Sequence, residues 1–182
     1  AVIYGLIPIL TKIMYTQGAN AVTVAFLRAA FATPVLLAML VLKKIPARLP
    51  LSVFGRLFLF CGVPTSATML FFSLACAYSP AGTVTSLNFI YPTIVTLANI
   101  LFFHERVSIE RIAAILTGFS GVLLFFFFAA GVSLSGLVFA VLSGVSYALL
   151  LIATEHTKIR RLHPLQIAFY QNFFVILLFG PY

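Results

Sequence analysis

Tyr78–Arg111 reads YSPAGTVTSLNFIYPTIVTLANILFFHERVSIER. An uncharged turn at Ser79-Pro80 opens it. A stretch of membrane-crossing length follows, and a charged turn at His104-Glu105-Arg106 closes it. Thr85, Asn88, Pro92, Thr96 and Asn99 sit inside the crossing. On one continuous helix these five fall within about 80° of each other. A polar stripe of that kind is costly against lipid, so it is expected to face other helices or a cavity.

The rest of the chain repeats the theme of apolar crossing and short turn. Of 182 residues, 63% are hydrophobic and 8% are charged, with 20 Phe. Soluble domains carry about 25% charged residues. The composition predicts an all-α integral membrane protein, a multi-helix bundle. Seven apolar segments can be marked, near 1–16, 21–42, 57–78, 83–103, 109–128, 135–156 and 165–182. About 20 residues of helix span about 30 Å of hydrocarbon. Unbroken apolar runs without strict alternation favour helices over a closed barrel. The chain opens on Ala1 and stops within an apolar run, so a longer parent protein is expected.

Charge placement sets an orientation. Lys43, Lys44, Arg48 and Arg56 lie between segments two and three, Arg106 and Arg111 around the next charged turn, and Lys158, Arg160 and Arg161 between six and seven. These are nine of the 11 basic residues, and the alternate turns carry none. The pattern puts the charged loops in the cytoplasm of a multi-pass protein, with the cell membrane as the expected location. It also accounts for the net charge of +8 without nucleic acid as a partner. The partners expected are the lipid bilayer and a small-molecule substrate, with a homodimer left open. Cys61 and Cys76 lie on one helix, about 22 Å apart along its axis, and cannot bridge. His104, His156 and His163 have no ligand spacing, so no metal and no cofactor is expected.

Two basic residues lie within crossings. Lys12 is a turn from the end of helix one, within reach of the interface. Arg28 lies about 10 Å into helix two, where a charge needs a partner or a wet cavity. Helix one carries Tyr4, Pro8, Thr11 and Tyr15 within about 60°. Pro8, Pro64 and Pro92 each remove an N–H and are read as helix breaks or hinges. Pro92 is expected to free the carbonyl of Asn88, one turn before Tyr91. Small residues at four-residue spacing, Ala114/Gly118, Thr117/Gly121 and Ala140/Gly144/Ala148, are expected to let helices approach closely.

Displacing the chain by 143 residues aligns 1–39 with 144–182 without a gap. Eight positions coincide, among them Tyr4/Tyr147 and Thr11/Thr154. Lys12 meets Glu155, and Arg28 meets Gln171. Five crossings separate the two starts, so the second copy is inverted, an arrangement found in many secondary transporters.

Taken in order, these features resemble the EamA-like branch of the drug/metabolite transporter superfamily. The resemblance rests on Tyr4-Gly5, Arg28, Leu74-Ala75 with Tyr78-Ser79 and Ala81, Pro92, Glu105-Arg106, Gly118 with Gly121, and a second opening near Gly136. The family often has Trp where Tyr4 stands, and Pro80 replaces its usual small residue. The resemblance implies ten helices in two inverted five-helix repeats. Residues 1–128 would form the first and 135–182 the start of the second. It also implies a central cavity and transport of small metabolites, often outward. The substrate cavity is expected to include Tyr4, Thr11, Lys12, Arg28, Asn88, Tyr91 and Tyr147. Glu105 and Glu155 are candidates for coupling or an inner gate. The expected function is secondary transport of a small polar or zwitterionic, amino-acid-like solute by alternating access. The alternatives are a seven-helix receptor, a membrane-embedded enzyme, or a lipid flippase or scramblase. An enzyme would need clustered His, Asp, Glu or Cys at depth, and the chain has no Asp.

Overall fold

A computed structural model describes residues 2–46, 49–104, 109–128 and 133–180. Seven helices run through them: α1 (Val2–Thr16), α2 (Ala21–Leu42), α3 (Leu51–Tyr78), α4 (Ala81–Phe103), α5 (Ile109–Phe128), α6 (Leu134–His156) and α7 (Pro164–Phe179). Among the described residues α2, α3, α4 and α6 are long and apolar enough to cross a membrane. Their outer faces carry large apolar side chains in the open, such as Phe31 at 75% and Phe102 at 76% exposure. Lipid suits that surface and water does not.

The helices start where local chemistry supplies partners for unpaired N–H groups. Asn20 accepts from the Thr23 N–H at 2.8 Å, and Ser133 from the Gly136 N–H at 3.0 Å. His163 and Gln166 form a reciprocal capping box ahead of α7. Gly18, at φ +85°, makes the α1–α2 turn in a conformation that side chains disfavour. One boundary departs from expectation. The third helix begins at Leu51, not near residue 57, so Arg56 lies on the helix and not in the loop before it. Pro50, extended at φ −61° and ψ 145°, sets that start. Ser52 and Arg56 had masked it by lowering the hydropathy of the first two turns.

Two of the expected breaks are present, in forms that differ from a simple kink. In α3, residues Phe58–Gly62 wind more widely, and the Val63 N–H reaches the Phe58 carbonyl five residues back. Pro64 follows that turn directly. In α4 the helix stops at Asn88 and restarts at Tyr91, with Pro92 in its new first turn. The five-residue stripe was drawn on one continuous helix and is therefore divided. Thr85 and Thr96 donate to carbonyls of their own helix, of Ala81 and Pro92, each at 2.8 Å. Pro92 itself is exposed.

The second half of α3 packs on α6, α2 packs on α7, and both halves of α4 lie against α6. One apolar core joins Leu57 and Cys61 of α3 to Leu150 of α6 and to Tyr170 and Phe174 of α7. A second joins Ala75 and Cys76 to Val84, Leu87 and Ala140. Both thiols are free and buried. The small stripe of α6 does what its spacing implies: Ala140, Gly144 and Ala148 are all buried. On α5 the expectation holds at Gly118, where a Cβ would lie 3.0 Å from Thr93 Oγ1 of α4, and not at Gly121, where it would meet nothing within 4 Å.

On the α6 stripe, a Cβ at Gly144 would lie 2.8 Å from Ile90 Cγ2 and 3.1 Å from the Asn88 carbonyl oxygen. Gly144→Ala is expected to destabilise the protein by about 1–3 kcal/mol. Gly121→Ala is expected to leave it within about 0.5 kcal/mol. Thermal unfolding of both variants in detergent distinguishes the two sites.

Candidate functional site

A partly open cavity of about 170 Å³ lies between the helices. Ile7 of α1 and Arg28 of α2 line one side. Thr65, Thr68, Met69 and Phe72 of α3 and Asn88 of α4 continue the wall. Tyr147 and Leu150 of α6 with Gln171 and Asn172 of α7 complete it. Among the described residues, neither Glu110 nor Glu155 is part of this lining.

Both helix breaks feed the cavity. Thr65 and Thr68 come directly after Pro64, three residues apart and so on one face. Thr68 Oγ1 donates to the Pro64 carbonyl at 2.8 Å. Thr65 is only 7% exposed, and its hydroxyl has no hydrogen-bond partner. A buried polar group in that condition is costly. Asn88 ends the first half of α4. Its Oδ1 accepts from Ser143 Oγ of α6 at 2.8 Å, which leaves the amide NH2 as its donor group. The Asn88 carbonyl, expected to face a ligand, instead lies against Gly144, where the absence of a side chain makes room. Asn172 donates its NH2 to the Ala168 carbonyl at 2.9 Å.

Of the residues expected in one cavity, Arg28, Asn88 and Tyr147 line it. Thr11, Lys12 and Tyr91 lie outside its lining. Thr11 is 2% exposed, donates to the Ile7 carbonyl at 2.9 Å, and borders a separate groove of about 170 Å³ between α1 and α2. Lys12 is exposed on α1. Tyr91 stands behind the wall, edge-on to Tyr147 at 4.7 Å between ring centres. The side chains of Tyr4 and Pro8, and all of Glu105, fall outside the described residues. Glu155 is exposed and borders a vestibule of about 550 Å³ with Thr154, Arg160 and Gln171.

Sequence reasoning missed Thr65, Thr68, Gln171 and Asn172. The signals were present. Gln171-Asn172 is an adjacent amide pair in the middle of a largely apolar helix, and Gln171 is the displaced counterpart of Arg28. Two polar latches lie beyond the cavity. Tyr15 donates its hydroxyl to the Ser73 carbonyl at 2.8 Å. At the far ends of α4 and α6, His156 Nε2–H donates to Asn99 Oδ1 at 3.1 Å, and the imidazole stacks on Phe103 at 3.4 Å. Thus Asn88 and Asn99 of the opening stripe both turn toward α6.

Residues 1–127 match the EamA-like transporter family. No curated protein and no solved structure matches the chain.

Two substitutions separate a held polar group from an unpaired one. Ser143→Ala strips the Asn88 amide of its partner and is expected to cost about 1–3 kcal/mol. Thr65→Val removes an unpaired hydroxyl at constant shape and is expected to stabilise the solute-free protein by about 1 kcal/mol. Melting temperatures in detergent without solute test both signs.

Proposed function

Because the chain belongs to the EamA-like transporter family, and so is a membrane transporter of the drug/metabolite type, we propose that its central cavity binds a small carboxylate-bearing polar solute. Alternating access then carries that solute across the membrane. The observation behind this reading is the placement of Arg28. A guanidinium on a wall whose described residues include no Asp or Glu presents a fixed positive charge, surrounded by the neutral groups of Thr65, Asn88, Tyr147, Gln171 and Asn172. A carboxylate bound there would gain charge-assisted hydrogen bonds in a poorly solvated setting. The amides and hydroxyls supply both donors and acceptors for an amino or hydroxyl group at the other end, which suits an amino-acid-like zwitterion.

Volume supports a metabolite over a phospholipid. A water molecule takes about 30 Å³ of liquid. The cavity's ≈ 170 Å³ suits a compact solute and not two acyl chains. Among the described residues its lining has no His, Cys, Asp or Glu to pair as nucleophile and base, which supports transport over catalysis. Two pairs of positions related by the 143-residue displacement, Ile7/Leu150 and Arg28/Gln171, line the same cavity. That convergence supports two repeats, 1–128 and 135–182, with the site between them. The basic loops support a cytoplasmic placement for that end of the bundle.

Flux of labelled zwitterions and monocarboxylates into proteoliposomes tests the assignment. Arg28→Ala is expected to lower uptake about 10–100-fold, and Arg28→Lys to lower it less. Normal uptake by a folded Arg28→Ala protein would remove Arg28 from the site.

A further inference from the structure

Two grooves flank the central cavity, one meeting it at Ile7 and Arg28 and the other at Gln171. The groove between α1 and α2 is bordered by Leu10, Thr11, Met14 and Arg28. The vestibule between α4, α6 and α7 is bordered by Thr154, Glu155, Ala168 and Gln171. Arg28 also lines the cavity from the first, and Gln171 from the second. The 143-residue displacement that places Arg28 on Gln171 also places Thr11 on Thr154. The two grooves therefore share two equivalent positions, Thr11/Thr154 and Arg28/Gln171. In an inverted repeat, equivalent positions face opposite sides of the membrane.

The grooves are unequal. The vestibule has about 550 Å³ and the α1–α2 groove about 170 Å³. The vestibule includes Arg160 of the connection between α6 and α7, so it belongs to the basic end. At the other end, contacts hold the helices together. Tyr15 bonds Ser73, and the Phe71 and Tyr78 rings both stack on Phe139, at 6.2 and 6.0 Å.

We propose that Gln171 is the junction through which solute passes between the central cavity and the basic-end vestibule. Arg28 is the corresponding junction on the opposite side, and the structure is the state open toward the basic end. This rests on the transport reading for the identity of what passes. The geometry of the route does not depend on it. The two junctions differ in charge, so a carboxylate is held at the closed side while the rest of the solute lies toward Gln171.

Thiol labelling tests the route without any solute. Ala168→Cys sits in the vestibule and Leu10→Cys in the opposite groove; the native thiols are buried. Lys43→Cys, exposed in a basic loop, reports which side of a vesicle carries that end. A membrane-impermeant maleimide is expected to label Ala168→Cys about tenfold faster from the Lys43 side than from the other. Leu10→Cys is expected to label slowly from the Lys43 side. Equal labelling of Ala168→Cys from both sides, or labelling no faster than native Cys61, overturns the assignment. As a second arm, maleimide-blocked Ala168→Cys is expected to lose flux, while blocked Leu149→Cys, on the exposed outer face of α6, keeps it. Undiminished flux in the blocked Ala168→Cys protein also overturns the proposal. Sided labelling together with no flux of any solute in the unmodified protein would instead count against the transport reading.

Discussion

A backbone carbonyl that loses its helix partner in hydrocarbon has no water to turn to, and this chain breaks two of its helices. Each break is covered by a neighbouring helix at a glycine. Gly62, in the wide turn of α3, abuts Phe174 of α7, whose Cδ2 would lie 2.7 Å from an added Cβ. The end of the first half of α4 abuts Gly144 of α6. The polar wall depends on these contacts. Thr65 and Thr68 follow the first break and Asn88 precedes the second, so the irregular backbone that costs stability also delivers hydroxyl and amide groups to the centre of the bundle.

The helices were legible because hydropathy and crossing length carry most of their information. The bounds of α2 and α5 match the apolar segments directly. The start of α3 was not, since Arg56 dilutes a hydrophobic count while fitting comfortably near a helix end. The breaks were legible as prolines but not in form. A missing N–H says that a bond is absent, and only the neighbours decide whether the chain kinks, widens or stops. At the site, Arg28, Asn88 and Tyr147 stand out in apolar surroundings. Thr65 and Thr68 do not, because threonine in a membrane helix commonly bonds its own backbone, as Thr85, Thr96 and Thr154 do here. Thr11 misled for the same reason: its hydroxyl is spent on Ile7.

The polar economy of the bundle is lopsided toward α6. Asn88 reaches it through Ser143 and Asn99 through His156, so the two halves of α4 are each pinned once to the same partner. A single broken helix held at two points on one unbroken helix keeps its halves aligned across the gap at Phe89-Ile90.

The wide turn of α3 carries a consequence for anyone comparing this chain with another by a helical wheel. An i→i+5 turn accommodates one residue more than ordinary winding. One residue is about 100° of rotation, so positions before Phe58 and after Gly62 belong to different angular phases. Phe54 and Thr65 cannot be placed on one wheel. Pro64, which has no N–H to offer the Phe60 carbonyl, sits as a stop on the far side and keeps the surplus residue from being passed along toward Thr65. A homologue lacking one residue between Leu57 and Val63 would show the same faces with an uninterrupted helix. An alignment gap at that point would mark a change of winding and leave the wall intact.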